Sequence, residues 1–418
     1  MAKHAKSLLS RWSSRVFLVE VDEKPLYFRL QERHGGERAP RVFGRLREAD
    51  RCYSVLVCSG DRIKGAKFYP ELRNKLARDL PPGCDLTTMG SFLPRVRDSF
   101  IRGYFLKSSV EYSPHIERLL RDLGRREPLL VCSYTAADGG GQLWTQRLWS
   151  PSQDETPSDY FVVSSDEPEC HPSALSMINN DVFHSFEEAR DVFRKCGGII
   201  PEAASVLEML PGSLEVCQKP KFPVIVIEGL DATGKTTLTE SLRDSLGATL
   251  LRSPPECLSP WRALFDQEPP LIRRAFYALG NYITAQQIAQ EGMKTPVIVD
   301  RFWHSTAAYA IATATSGPVS SLPQGGSEVY GWPSDLLQPS LVLLLTLDAE
   351  ERKRRLKDRG LEKTDEEQQL DRNQLFRLRV EEAYRRISGP PCVTVDASPS
   401  ADKVLQETLL LIRSNCHL

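Results

Sequence analysis

One stretch constrains the fold more than any other: Val224 to Leu242, VIVIEGLDATGKTTLTESL. Val224 to Ile227 are four apolar residues in a row and read as a buried strand. Gly229, Leu230, Asp231, Ala232, Thr233, Gly234, Lys235 and Thr236 follow in the spacing G-x-x-x-x-G-K-[ST]. Lys235, Thr236 and Thr237 open an amphipathic helix, so the motif has the strand before and the helix after that it needs. Its physics is local. Glycines let the backbone curl until several N–H groups point at one oxyanion. The helix aims its positive dipole end at the same point. Lys235 can bridge outer phosphates, and the Thr236 hydroxyl can hold a magnesium ion. The competing explanation is a glycine turn that fits the spacing by accident.

The 418 residues exceed one ordinary core, so two or three domains are expected. With 41% hydrophobic and 26% charged residues the composition is globular, and a net charge of −1 offers no global basic field for nucleic acid. Apolar runs such as Leu341 to Leu345 are far too short to span a membrane. The ten cysteines include no C-x-x-C pair, which argues against zinc and a redox dithiol and for free thiols in a reducing compartment. Before Glu20 the chain has Lys3, Lys6, Arg11 and Arg15, several serines and no acid. That start reads equally as a mitochondrial transit peptide over residues 1–20 and as a basic tail running into a first strand.

Residues 20–215 read as a mixed α+β domain without a catalytic constellation. Strands are expected at 16–19, 26–28, 53–58 and 129–134, and helices at 69–80 and 114–124, from their apolar spacing. Gly139 to Gly141 read as a turn before an alternating strand, QLWTQRLW. Residues 150–172, rich in Ser, Pro, Asp and Glu, read as a linker or exposed loop, with Cys170-His171 as plain surface. Helices are expected at 185–195 and 201–210, and Pro220 and Pro223 frame a domain boundary near residue 215.

Beyond the phosphate loop, Ala248 to Leu251 form a second strand, and Arg252 begins a loop at its end, where open α/β sheets bind ligands. In the helix 272–292, Ile272, Phe276, Leu279 and Ile283 make a core stripe, while Tyr277, Asn281 and Tyr282 lie off it and can face a cleft. Pro296 to Val299 read as a third strand, ending in Asp300-Arg301. The carboxylate can hold magnesium or its water and the guanidinium can grip a second phosphate; the alternative is a structural ion pair capping the next helix. Residues 316–335 form a long Gly/Pro/Ser-rich loop. A fourth strand ends at Asp348, and the basic run Arg352, Lys353, Arg354, Arg355, Lys357, Arg359 follows. A run this dense repels itself, so a bound polyanion would relieve it. The last strand, Val393 to Val395, leads into Asp396-Ala397.

GLDATGKTT, VIVDRFWHS, LLTLDAEERKRRLKDRG and VTVDAS occur in the order and spacing of the thymidylate kinase family of nucleoside monophosphate kinases, which residues 222–415 resemble. The resemblance implies an α/β P-loop kinase, a parallel sheet flanked by helices, over residues 216–418. It implies ATP as phosphate donor with Mg2+, and a basic lid near 351–366. Lys235 and Thr236 would serve the ATP phosphates and the metal, Asp231 would look toward the acceptor sugar, and Asp300 and Arg301 would hold metal and acceptor phosphate. The loop's variable positions carry no base, so the lid would supply the catalytic cation, with Arg355 and Arg359 as candidates. Asp396 and Ala397 would lie near adenine. Two positions depart from the pattern: Tyr282 and Glu256 stand where members carry arginine. That points away from thymine toward another pyrimidine monophosphate, with Arg252, Arg262, Arg273 or Arg274 as substitutes; dTMP phosphorylation is the alternative. The long N-terminal extension is similar to that of the family's mitochondrial pyrimidine monophosphate kinases, which favours the matrix over the cytoplasm. The residues do not choose between monomer and homodimer. From another class, a nucleotide-binding scaffold acting through the N-terminal domain remains an alternative; the Asp300-Arg301 pair argues against a pure binder.

Overall fold

The computed structural model describes residues 12–22, 24–33, 50–94, 96, 99–136, 144–149, 158–165, 181–210, 219–348, 350–352, 354–355 and 373–416. The chain forms two compact units, Met1–Ile178 and Asn179–Leu418.

The first unit is a closed antiparallel barrel. Its strands are β1 (Val16–Val21), β2 (Lys24–Gln31), β3 (Asp50–Val57), β4 (Asp85–Phe92), β5 (Ile101–Ser109), β6 (Leu129–Ala136), β7 (Trp144–Trp149) and β8 (Ser158–Ser164). They pair in the order β1-β2-β8-β7-β6-β3-β5-β4, and β4 closes on β1 through Val16↔Phe92 to Val19↔Met89. Side chains alternate between two cores, as strand geometry requires. Phe17, Val19, Phe28, Leu30, Cys52, Leu56, Phe105 and Tyr134 form one buried cluster. Their neighbours Tyr53, Val55, Tyr104 and Val131 pack instead with helices α1 (Arg62–Asp79) and α2 (Ser113–Arg126). Asp61 caps α1, accepting from the N–H groups of Ile63 and Lys64.

The stretch 150–172 departs from the linker expected of it. Its centre is β8, which pairs with both β2 and β7, because Tyr160 to Val163 supply apolar residues amid the polar ones. The residues around Gly139–Gly141, the Cys170-His171 pair and residues 1–11 lie outside the described set.

The second unit begins earlier than residue 215. Helices α3 (Phe186–Cys196) and α4 (Glu202–Glu208) belong to it. The reason is apolar: Phe193 packs tilted at 4.9 Å against Phe265, which stacks at 4.8 Å on Phe276. Separating these helices from their partners would expose three large rings.

Five parallel strands follow: β9 (Val224–Gly229), β10 (Thr249–Arg252), β11 (Val297–Asp300), β12 (Leu341–Thr346) and β13 (Cys392–Asp396). Their order is β10-β11-β9-β12-β13, so the crossovers leave in opposite directions from the central β9. Such a switch point opens a crevice beyond the strands' carboxyl ends. The helices are α5 (Lys235–Leu246), α6 (Ser259–Asp266), α7 (Pro270–Glu291), α8 (Trp303–Ala314), α9 (Gln374–Arg386) and α10 (Ala401–Cys416). β9 and β11 are buried along their whole length, as parallel strands covered on both faces should be. The 316–335 loop is packed: Leu322, Val329 and Tyr330 are buried, and the Trp332 ring lies tilted 5.2 Å from that of Trp303.

Candidate functional site

The crevice is built from β9 outward. Gly229 has φ +142°, and a Cβ there would stand 2.7 Å from the Leu345 carbonyl oxygen, so only glycine lets the loop leave beside β12. Gly234 (φ +92°) and Ala232 (φ +66°) complete the curl into α5. The carbonyl of Leu230 accepts from both the Thr233 hydroxyl and the Lys235 Nζ, each at 2.8 Å. Lys235 is 7% exposed. Burial, then repulsion from Arg301, lowers its pKa to about 8 against the pull of Asp231, Asp300 and Glu228. Thr236 and Thr237 stay exposed at the mouth.

β11 ends directly beside the loop. Arg301 takes a left-handed backbone (φ +66°) and its guanidinium donates to Asp231 at 2.5 Å. Lys235 lies 3.8 Å from the same carboxylate. Burial alone would lower the pKa of Arg301, but the combined pull of Asp231, Tyr309, Tyr384 and Glu228 carries it upward. Asp300 Oδ2 sits 3.7 Å from Arg252 Nε, while its buried Oδ1 has no hydrogen-bond partner. A buried carboxylate oxygen facing the phosphate loop without a donor fits a magnesium ion or a water bound to one, with the Thr236 hydroxyl as the other protein contact. Among the described residues no cluster of three His, Cys, Asp or Glu side chains could hold a metal by itself. A magnesium ion shared with phosphates needs no such cluster.

The three α7 residues are each held by side-chain hydrogen bonds. Asn281 accepts from Ser253 Oγ at 2.7 Å and donates to Thr306 Oγ1 at 3.1 Å, bridging the residue after β10 and the first turn of α8. Tyr277 donates to Asp266 at 2.7 Å, and Arg262 lies 3.7 Å from the same carboxylate. Tyr282 is buried against Phe186 and donates to Asp335 at 2.6 Å, while the Phe186 N–H donates to the other oxygen of that carboxylate at 2.8 Å.

On the donor side, Asp396 accepts from the N–H and hydroxyl of Ser398, which hold its pKa below the usual range. Arg355 donates to Glu351 at 2.9 Å and to the Ala397 carbonyl at 3.2 Å, so it stands beside Asp396-Ala397. Arg359 and most of the 351–366 stretch lie outside the described residues. A cavity of about 140 Å3 is lined by Leu230 and Thr233 of the loop, Asp348, Arg352, Tyr384 and Asp396 among others. Arg352, which the sequence shows only as one member of the basic run, shares this cavity with the phosphate loop. Sequence reasoning passed over Glu228. This fully buried carboxylate accepts from the N–H groups of Phe302 (2.9 Å) and Ser305 (3.2 Å), the Ser305 hydroxyl and the Tyr384 hydroxyl (3.3 Å).

A thymidylate kinase family model matches residues 227–408. The human protein UMP-CMP kinase 2, mitochondrial, is 44% identical over 388 residues, spanning 90% of this chain and 86% of that one. The chain belongs to the thymidylate kinase family of nucleoside monophosphate kinases. It is an enzyme that phosphorylates nucleoside monophosphates. A thymidylate kinase of Xanthomonas oryzae pv. oryzae is 29% identical over 208 residues, 46% of this chain and 84% of that one. Among solved structures, the Candida albicans thymidylate kinase is 21% identical, covering 47% of this chain and 94% of its own, at a TM-score of 0.37. Nucleoside monophosphate kinases of this family take ATP as donor.

Proposed function

We propose that the second unit transfers the γ-phosphoryl group of ATP, with Mg2+, to a pyrimidine nucleoside monophosphate: UMP, CMP or their deoxy forms. The observation that carries this reading is the cluster at the β9 and β11 ends. There Lys235 and Arg301 flank Asp231 within 3.8 and 2.5 Å, and an unpartnered oxygen of Asp300 lies alongside. A buried and a part-buried cation share one carboxylate, so the site holds positive charge ready for two phosphorylated substrates. Lys235 and the loop N–H groups from Gly229 to Thr237 would hold the donor phosphates. Arg301, with Arg252 at the rim, would hold the acceptor phosphate in a fork. Asp231, once phosphate draws the cations away, is left to face the acceptor sugar. Thr236 and Asp300 would hold the magnesium ion, which supplies charge neutralisation between the phosphates when bound. The attacking phosphate oxygen is already ionised, so this chain's residues orient rather than deprotonate. Arg352 and Arg355 would bring lid charge to the transferred group, and Asp396-Ala397 would flank adenine.

The pyrimidine reading is supported by the name of the human relative and by Glu256 and Tyr282, which stand where thymidylate kinases carry arginine. The relative's name and the acid-free start of the chain also support a mitochondrial location. Among the described residues no helix is long and apolar enough to cross a membrane. The test is ADP formation by the full chain with UMP, CMP, dUMP, dCMP and dTMP in parallel. The account expects a kcat/KM for the uridine and cytidine acceptors at least about tenfold above dTMP, roughly 1.4 kcal/mol of discrimination. A preference for dTMP would replace this reading with the thymidylate one.

A further inference from the structure

Arg301 is held in a backbone conformation that non-glycine residues avoid, with φ +66°. Such a conformation persists where the surroundings over-determine it. Its own N–H donates to the Ile227 carbonyl at 3.0 Å, and the next N–H, of Phe302, donates to Glu228 at 2.9 Å. The arginine therefore hangs between two bonds to consecutive residues of β9. Glu228 does more. Phe302 is the residue before α8 and its side chain caps nothing. The Glu228 carboxylate, reaching across from the neighbouring strand, accepts from the first turn instead and puts negative charge at the helix's positive end. Burial pushes the pKa of Glu228 up, and the Ser305 hydroxyl, Arg301 and the two N–H groups oppose that push.

The same carboxylate is tied to α9. Tyr384 bonds Ser305 Oγ at 3.0 Å and Glu228 at 3.3 Å, and it also lines the cavity shared by Arg352 and the phosphate loop. Two further bonds join α8 and its surroundings to this return segment. His304 Nε2 meets the Pro390 carbonyl at 2.9 Å, and Arg379 donates to the Ala312 carbonyl at 3.3 Å.

We propose that Glu228 and Tyr384 are positioning residues for Arg301, and that through them the acceptor-side arginine takes its place from α9. This rests on Arg301 holding the acceptor phosphate. Glu228 fixes the backbone on the far side of Arg301, and Tyr384 fixes the Ser305 hydroxyl and the carboxylate relative to α9.

The test is steady-state kinetics on the full chain, varying ATP and CMP separately. Tyr384→Phe keeps the ring and removes the hydroxyl. It should raise the KM for CMP about five- to tenfold and leave that for ATP within about twofold. Glu228→Gln should lower kcat/KM for CMP by about 10², the scale expected when a reacting group is displaced by an ångström. Combined with Arg301→Ala, either substitution should cost little more than Arg301→Ala alone, because both act through that arginine. Equal losses for ATP and CMP, a lower melting temperature with unchanged KM values, or full additivity with Arg301→Ala would each overturn the proposal. Tyr384→Phe decides the question should Glu228→Gln fail to fold. A wild-type chain without acceptor-dependent turnover would instead overturn the functional reading beneath it.

Discussion

Arg15 in the barrel and Lys235 in the second unit are both buried cations, and they are treated differently. Arg15 is 1% exposed, and its guanidinium donates to the Ser91 hydroxyl at 2.9 Å and to the Ser91 and Ser99 carbonyls. Its neutral partners come from the barrel wall, and the arrangement is complete without a ligand. Lys235 has one neutral carbonyl at 2.8 Å, a second cation beside it, and a carboxylate that Arg301 already engages. The barrel fills its interior with Phe17, Phe28, Phe105 and Tyr134, and the one hydroxyl among these rings, that of Tyr134, pairs with Ser54 at 2.5 Å. The second unit leaves Asp300 Oδ1 buried and unpartnered. Buried charge is costly unless something compensates it. Where the compensation is internal, the charge is architecture. Where it is incomplete, the fold has stored an affinity for an oppositely charged ligand.

That contrast can be broken most sharply at Lys235. Lys235→Ala should lower kcat/KM by about 10³ or more, in the range of a lost transition-state cation, with the far-ultraviolet circular dichroism unchanged. Turnover near wild type would remove the phosphate loop from the chemistry. Smaller losses are expected at the lid. Arg352→Ala and Arg355→Ala should each cost about 10- to 100-fold. Arg355 contacts Ala397 beside the adenine side. If its loss appears only in the KM for ATP, Arg355 belongs to donor binding, and Arg352 remains the cation for the transferred group.

A third experiment sharpens the comparison through protons. The Lys235 pKa is lowered to about 8 by burial and Arg301. Phosphate binding favours the charged amine and so raises that pKa. Above pH 8, ATP binding must therefore take up a proton, and affinity should fall toward tenfold per pH unit once the free lysine is neutral. Calorimetry in buffers of different ionisation enthalpy measures the uptake. No uptake at pH 8.5, or uptake that survives in Lys235→Ala, would contradict the assignment. The smallest effect is expected in the barrel. Tyr134→Phe removes the hydroxyl that meets Ser54 and should cost about 1 kcal/mol of stability in a chemical melt. It should leave kcat unchanged; a fall in kcat would mean that the barrel takes part in turnover.

How much of this was legible follows from how local each feature is. The phosphate loop is written in eight consecutive residues, and Asp300-Arg301 ends a run of apolar ones, so both read directly. The barrel does not. β1 pairs with β4, some 70 residues on, and β2 with β8 across the Ser/Pro-rich stretch, and neither pairing leaves a local mark. The proline-framed segment before Val224 resembles a domain boundary, whereas the decisive contact is Phe193 on Phe265. Tyr282 reads as a cleft residue by helical angle, and Asp335, which claims its hydroxyl, is 53 residues away. Glu228 was visible as an acid ending a buried strand. Its partners lie 74 to 156 residues on, so only the folded chain shows what it holds.

The central claim is that the second unit's unmatched charge moves a phosphoryl group onto a monophosphate rather than onto water. Incubating the full chain with γ-labelled ATP, Mg2+ and CMP, and separating the labelled products, tests it most directly. The account predicts labelled CDP in amounts equal to the ADP formed, no release of inorganic phosphate above background, and neither product in Lys235→Ala. ADP accompanied by inorganic phosphate alone, or ATP bound without turnover, would contradict it.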